Sequence, residues 1–114
     1  LGHFNQSEHP VVFQIKEYIR QNFAVPTLSV LDISQYANRS SSYICTLFKN
    51  ETGQTINQYL TDYRIKMSKQ FLSDPRYRIT DISAKVGYSD GNYYSKAFRK
   101  IVGLSPSEYR EKIL

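Results

Sequence analysis

A repeat with an offset of 49 to 50 residues most narrows the folds open to this chain. The tripeptide Asp32-Ile33-Ser34 recurs as Asp81-Ile82-Ser83. One inserted residue then shifts the offset to 50, and further equivalences follow in order: Tyr43 with Tyr93, Phe48 with Phe98, Lys49 with Arg99, Gly53 with Gly103, Thr55 with Ser105, and Tyr59 with Tyr109. An ordered series of this kind predicts two copies of one supersecondary unit.

Apolar residues recur with helical spacing along nearly the whole chain, and no stretch alternates long enough to predict a strand. The pattern therefore predicts an all-α domain of seven helices. Pro10, Ser29, Ser40 and Ser89 mark helix starts, and Thr55 and Ser105 open sequences typical of a capping box. The predicted helices are Pro10–Phe23, Val30–Ala37, Ser40 to Gly53, Thr55 to Asp74, Thr80–Val86, Ser89 to Gly103 and Ser105 to Ile113.

Each copy consists of a short helix, a tight turn and a longer helix, which is the order of a helix-turn-helix unit. Ser34 and Ser83 are small enough for two helices to cross closely, and Asn38 and Gly87 tolerate a left-handed turn. We expect two such units joined by a long linker helix. The predicted parts are an N-terminal lead-in at 1–8, the first unit at 9–53, the linker helix at 54–74 and the second unit at 75–114.

The charge of the chain favours a polyanionic partner. The net charge is +5, and residues 38–114 carry all of the excess, because residues 1–37 sum to −1. A single cysteine, Cys45, excludes an internal disulfide and a cysteine-rich zinc site, while His3 and His9 have no acidic or thiol cluster beside them. We expect no metal, no cofactor and no enzyme activity, because no pairing of nucleophile and base or of two acids is present.

No apolar run approaches the roughly 20 residues of a membrane span, and no signal peptide is evident. The chain begins at Leu1, so we expect a fragment of a longer protein.

The second helix of each predicted unit has an apolar inner face and a small, polar outer face. The aromatic residues Tyr43, Tyr59, Tyr93 and Tyr109 are expected in the core rather than as platforms for base stacking. A polar helix with basic flanks can lie in a major groove. The linker, at about 20 residues or ~30 Å, nearly matches one ~34 Å turn of B-DNA. The alternative is a helical protein-interaction module that does not bind DNA.

Six segments are similar to the DNA-binding domain of AraC-type transcription regulators, and the similarity covers about residues 8–111. The first two are Leu47–Gly53 and Tyr59-Leu60 with Arg64-Ile65. The more specific ones lie in the second copy, at Asp81-Ile82-Ser83, Val86–Asp90, Tyr93–Lys100 and Gly103–Arg110.

The resemblance implies a transcription regulator, more often an activator, that binds double-stranded DNA as a monomeric unit at an asymmetric operator. It implies a bacterial, cytoplasmic protein with a sensory domain or a two-component receiver domain on the N-terminal side. RNA polymerase is a further expected partner.

Two sets of residues are candidates for contacts with DNA. The candidates for base contacts are Ser41, Ser42, Cys45 and Thr46 in the first unit and Gly91, Asn92, Ser95 and Lys96 in the second. The candidates for phosphate contacts are Arg39, Lys49, Arg64, Arg99 and Lys100, with Arg64 equally able to pair within the fold. Because Asn pairs with adenine and Lys with guanine, we expect more sequence specificity in the second unit.

Overall fold

A computed structural model describes residues 8–114 and has seven α-helices and no strand in that range. Residues 1–7 lie outside the described range. They include His3 and all of the predicted lead-in except Glu8. The helices are α1 Pro10–Asn22, α2 Val30–Ala37, α3 Ser41–Thr52, α4 Ile56–Leu72, α5 Ile79–Lys85, α6 Gly91–Val102 and α7 Pro106–Ile113. The predicted all-α class with seven helices is confirmed.

The chain forms two compact units that divide within α4. One unit takes in the chain through Asn22 together with Leu28–Tyr59, and the other takes in Phe23–Thr27 with Leu60–Leu114. The second unit therefore includes the segment that connects α1 to α2.

In the first unit, α1, α2 and α3 pack on one another around an apolar core. The apolar stripe of α1 is buried, as its spacing predicts, and Ile15 and Ile19 have no exposed surface. Their neighbours in the core come from the other helices of the unit: Ile33 and Ala37 of α2, Ile44 and Phe48 of α3, and Ile56 of α4.

In the second unit, the core is made of aliphatic and aromatic side chains. The aliphatic residues are Ile65, Leu72, Ile82 and Val86, and the fully buried aromatic residues are Tyr94 and Phe98. Tyr94 lies against Tyr88 and Phe98, with ring centroids 5.7 and 5.9 Å apart. The aromatic rings thus supply much of the core volume of a chain that lacks tryptophan.

Most helices begin and end at the capping residues that the sequence indicates. Ser29 and Ser105 form capping boxes with Asp32 and Glu108, and the Thr55 and Gln58 side chains each accept a backbone N–H of the other residue. Gly53 and Gly103 end α3 and α6 in the left-handed conformation. One predicted cap is wrong: Asp90, not Ser89, caps α6, and its carboxylate accepts the Asn92 N–H at 2.9 Å.

Candidate nucleic-acid interface

The turn of the first unit is built by two residues with distinct roles. Ser34 is 5% exposed and its hydroxyl donates to the Leu31 carbonyl, so α3 can approach α2 closely. Asn38 then adopts a left-handed conformation, with φ at 56°, and its N–H donates to the Gln35 carbonyl. This turn reverses the chain into α3, where the Ser40 hydroxyl caps the helix by accepting the Tyr43 N–H.

Two buried residues fix the rotation of α3 and therefore its outer face. Ile44 and Phe48 have no exposed surface, so the residues on the opposite side of the helix face outward. Ser42, Cys45 and Thr46 are exposed and Ser41 is half-buried. The predicted base-contact candidates of the first unit therefore form one continuous polar face.

The second unit repeats this construction with different residues. Ser83 is 5% exposed at the helix crossing, and Gly87 makes the turn with φ at 97°. A side chain at Gly87 would meet the Phe23 carbonyl and would lie 2.7 Å from Arg64 Nε, so only glycine fits there. Buried Tyr94 and Phe98 then set the rotation of α6.

The outer face of α6 carries the second set of base-contact candidates. Gly91, Asn92, Ser95 and Lys96 are all exposed. Ser95 and Lys96 follow Asn92 by three and four residues, which places the three side chains on one side of the helix. The structure thus brings together the four residues predicted from the second copy.

The phosphate candidates differ in how they are held. Arg39 and Lys49 are exposed, and each donates to a nearby backbone carbonyl, of Asn38 and Gly53 respectively. Arg99 is exposed and forms a 3.2 Å ion pair with Glu108. Lys100 is exposed and has no ion pair in the range that the structure describes. These four side chains can move to a phosphate at little cost in free energy, because exposed ion pairs and hydrogen bonds of this kind contribute little to stability.

Arg64 is the exception among the phosphate candidates, because it is only 9% exposed. Its Nε donates to the Phe23 carbonyl and a terminal nitrogen donates to the Val25 carbonyl, both at 2.8 Å. Its guanidinium also lies 5.5 Å from the centre of the Tyr88 ring, and burial lowers the pKa of Arg64. Arg64 therefore pairs within the fold, the alternative that the sequence left open, and we remove it from the proposed phosphate set.

Two tyrosines that were expected in the core are exposed instead. Tyr43 is 43% exposed and Tyr93 is 71% exposed, whereas Tyr59 and Tyr109 are half-buried and pack on Phe48 and Phe98. The prediction was wrong for Tyr43 and Tyr93 because each lies at the margin of its apolar stripe, where helical spacing does not distinguish the two faces. The repeat does not distinguish them either, because the half-buried Tyr59 and Tyr109 are also matched between the two copies.

Two helix-turn-helix units, each with an exposed polar second helix and basic residues at its end, define the chain as a helix-turn-helix protein. Comparisons with known proteins identify the helix-turn-helix family to which the chain belongs. A family model of a helix-turn-helix domain matches residues 33–112. The chain belongs to the AraC-type helix-turn-helix family, whose members are DNA-binding domains of transcription regulators.

Among curated proteins, the chain is 37% identical over 109 residues to the Msm operon regulatory protein of Streptococcus mutans, covering 96% of this chain and 39% of that protein. It is 32% identical over 110 residues to the arabinose operon regulatory protein of Escherichia coli, covering 93% of this chain and 38% of that protein. The chain therefore spans about two fifths of the length of these relatives.

Among solved structures, the C-terminal domain of AraT, a response regulator from Geobacillus stearothermophilus, matches with a TM-score of 0.90 and 29% identity, covering 94% of this chain and 88% of that one. The DNA-binding domain of AdpA, solved in complex with a target DNA, shares the fold, with a TM-score of 0.83 and 18% identity over 91% of this chain and 93% of that one. No helix within residues 8–114 is long and apolar enough to cross a membrane.

Proposed function

We propose that this domain recognises an asymmetric double-stranded operator through α3 and α6, which enter successive major grooves. The observation that carries the proposal is the repeated construction of an exposed, polar helix face whose rotation is fixed by two buried residues, Ile44 and Phe48 in one unit and Tyr94 and Phe98 in the other. A major groove admits a helix of this kind, and its base edges present a donor and acceptor pattern for short polar side chains.

The two faces differ in what they can read. Asn92 can form a bidentate pair with adenine, and Lys96 can donate to guanine. Ser42, Cys45 and Thr46 are too short for bidentate pairing, so the first unit reads thymine methyl groups and groove shape. We therefore propose that more of the specificity resides in α6.

Contacts with the DNA backbone supply most of the affinity. We assign these contacts to Arg39, Lys49, Arg99 and Lys100, together with the backbone N–H groups at the starts of α3 and α6. These contacts carry no sequence information but fix the position of each helix in its groove.

We propose that the domain is the DNA-binding part of a longer bacterial transcription activator in the cytoplasm. Its relatives named above include an operon regulator of more than twice its length and the C-terminal domain of a response regulator, which supports a sensory or receiver domain on the N-terminal side. RNA polymerase is the proposed partner in activation. No catalytic activity is proposed, because transcription regulation by DNA binding requires none.

Fluorescence anisotropy with a pool of random duplexes, at 50 and 200 mM salt, tests the proposal. With four basic side chains each neutralising one phosphate, the affinity should fall roughly 10²-fold between these two concentrations. Lys49→Ala and Lys100→Ala should each lower the slope of log affinity against log salt by about 1. Lys112→Ala, which removes the same charge from the end of α7, is the matched control and should leave the slope unchanged.

Binding that is absent or independent of salt, for the domain alone and for a covalently tethered dimer of it, would contradict the proposal. The tethered dimer is included because it removes the entropic cost of bringing two weakly binding domains to one duplex. Such a result would favour the helical protein-interaction module.

A further inference from the structure

Within residues 8–114, two of the ten tyrosines differ from the rest because their rings form neither a ring pair nor a cation–π contact. Eight pair with another ring: Tyr18, Tyr36, Tyr59, Tyr63, Tyr77, Tyr88, Tyr94 and Tyr109. Within residues 8–114, the rings of Tyr43 and Tyr93 form no ring pair and no cation–π contact. Packing of aromatic rings with one another therefore does not account for the tyrosine at these two positions.

These two tyrosines occupy the same place in the two copies of the repeat. Each is the third residue of its helix, α3 or α6, and each immediately precedes a buried residue, Ile44 or Tyr94. Both rings are exposed, by 43% and 71%. A large side chain that is exposed at the same position of two candidate recognition helices points to a shared external contact.

The position on the helix indicates what that contact is. Tyr43 and Tyr93 lie on one edge of their helices, between the buried face and the polar face that holds the base-contact candidates. Lys100 follows Tyr93 by seven residues, close to two full turns, and therefore lies on the same edge. When a helix occupies a major groove, its edges face the sugar–phosphate walls, which Lys100 is already proposed to contact.

We infer that Tyr43 and Tyr93 are a matched pair of DNA backbone contacts, one on each recognition helix. The phenol hydroxyl donates to a phosphate oxygen, and the ring packs against the deoxyribose of the same wall. A phenol suits this place because its ring is apolar and its tip is a hydrogen-bond donor. Stacking on a base is disfavoured, because bases in an intact duplex are already stacked and one would have to be extruded.

This inference rests on the proposed function, since it requires α3 and α6 to enter grooves. It adds a neutral contact that fixes how deeply and at what angle each helix sits. A neutral donor leaves the salt dependence of binding unchanged, because it displaces no counterion. That property separates the tyrosines from the lysines and arginines in an experiment.

Tyr43→Phe and Tyr93→Phe test the inference, because each removes only a hydroxyl from an exposed ring. We expect each to weaken binding about tenfold, the loss of one hydrogen bond to a charged acceptor, with the same salt slope as the unmodified domain. The loss should be equal on a selected operator and on random duplexes, because phosphate carries no sequence information. The double variant should lose about a hundredfold, since the two sites are independent.

Tyr36→Phe is the matched control, because Tyr36 is 51% exposed but lies on α2 and packs on Tyr18. It should bind DNA as the unmodified domain does. Thermal melting of all variants should be unchanged, because the hydroxyls at 43 and 93 are at exposed positions.

Each outcome separates this inference from the proposed function. If the unmodified domain binds DNA with a steep salt dependence and both phenylalanine variants bind equally well, the backbone contacts are wrong while DNA binding stands. A loss that is confined to the selected operator would also overturn the inference, because it would show base readout. Absence of DNA binding by the unmodified domain would instead contradict the proposed function.

Discussion

Arg64 connects stretches of the second unit that are distant in sequence. Its two hydrogen bonds reach the carbonyls of Phe23 and Val25, 41 and 39 residues away. The same guanidinium borders the turn glycine, Gly87, and faces Tyr88. Arg64 therefore positions the turn that precedes α6, although it contributes nothing to the exposed face itself.

Arg64→Ala should lower the free energy of unfolding by about 3 kcal/mol, because two partly buried hydrogen bonds from a charged donor are lost. Arg64→Lys should recover little of this loss, since an ammonium group does not reproduce the planar fork of a guanidinium. Urea unfolding followed by circular dichroism measures both. Lys66→Ala, on the exposed side of the same helix, is the control and should change the stability by less than about 0.5 kcal/mol. An Arg64→Ala variant with unchanged stability but weaker DNA binding would restore the phosphate role.

Single residues were the hardest part of the structure to predict from the sequence. The buried positions of Ile44 and Phe48 follow from helical spacing, whereas Tyr43 lies at the margin of the same stripe and its exposure does not. The role of Arg64 depends on carbonyls that folding brings to it from a distant segment. Charge and periodicity carry no information about such a partner.

The start of α6 combines two opposing electrostatic effects. The Asp90 carboxylate caps the helix and interacts favourably with its positive end, yet it also places a negative charge at the proposed DNA interface. The equivalent cap of α3 is the neutral Ser40. The two caps therefore differ in charge: Asp90 repels a nearby phosphate, whereas Ser40 does not.

Asp90→Ser should leave the stability within about 1 kcal/mol, because serine is also a good cap. It should strengthen DNA binding severalfold at 50 mM salt, and the gain should shrink at 200 mM as the repulsion is screened. Anisotropy at the two salt concentrations measures the effect, and Ser40→Asp in the first unit is the reciprocal variant, which should bind more weakly. Weaker binding by Asp90→Ser would indicate that the carboxylate accepts a hydrogen bond from a cytosine instead.

The helices themselves were largely predictable, because their ends are set by local chemistry. Ser29, Ser40, Thr55 and Ser105 cap the helices that the sequence assigned to them, and Gly103 ends α6. The start of α6 was predicted one residue too early, at Ser89 instead of Asp90. Both residues can cap a helix, so local chemistry does not choose between two adjacent positions. The long helix is 17 residues, shorter than expected, because it ends at Leu72 before Asp74-Pro75.

Considered as a whole, the chain is an AraC-type helix-turn-helix domain with two matched polar helix faces, on α3 and α6, that carry different side chains. The repeat made the existence of both faces predictable from the sequence alone. We propose that the two faces differ in specificity because Asn92 and Lys96 can pair with base edges, whereas Cys45 and Thr46 are too short to form a bidentate pair.

Selection of bound sequences from a random duplex pool shows whether α3 and α6 read one continuous site. We expect two enriched motifs about 10 base pairs apart, centre to centre, in one asymmetric site. We also expect Asn92→Ala to weaken the motif with the greater information content and to leave the other unchanged. A single motif would contradict reading by both helices, and equal information in the two motifs would contradict the assignment of specificity to α6.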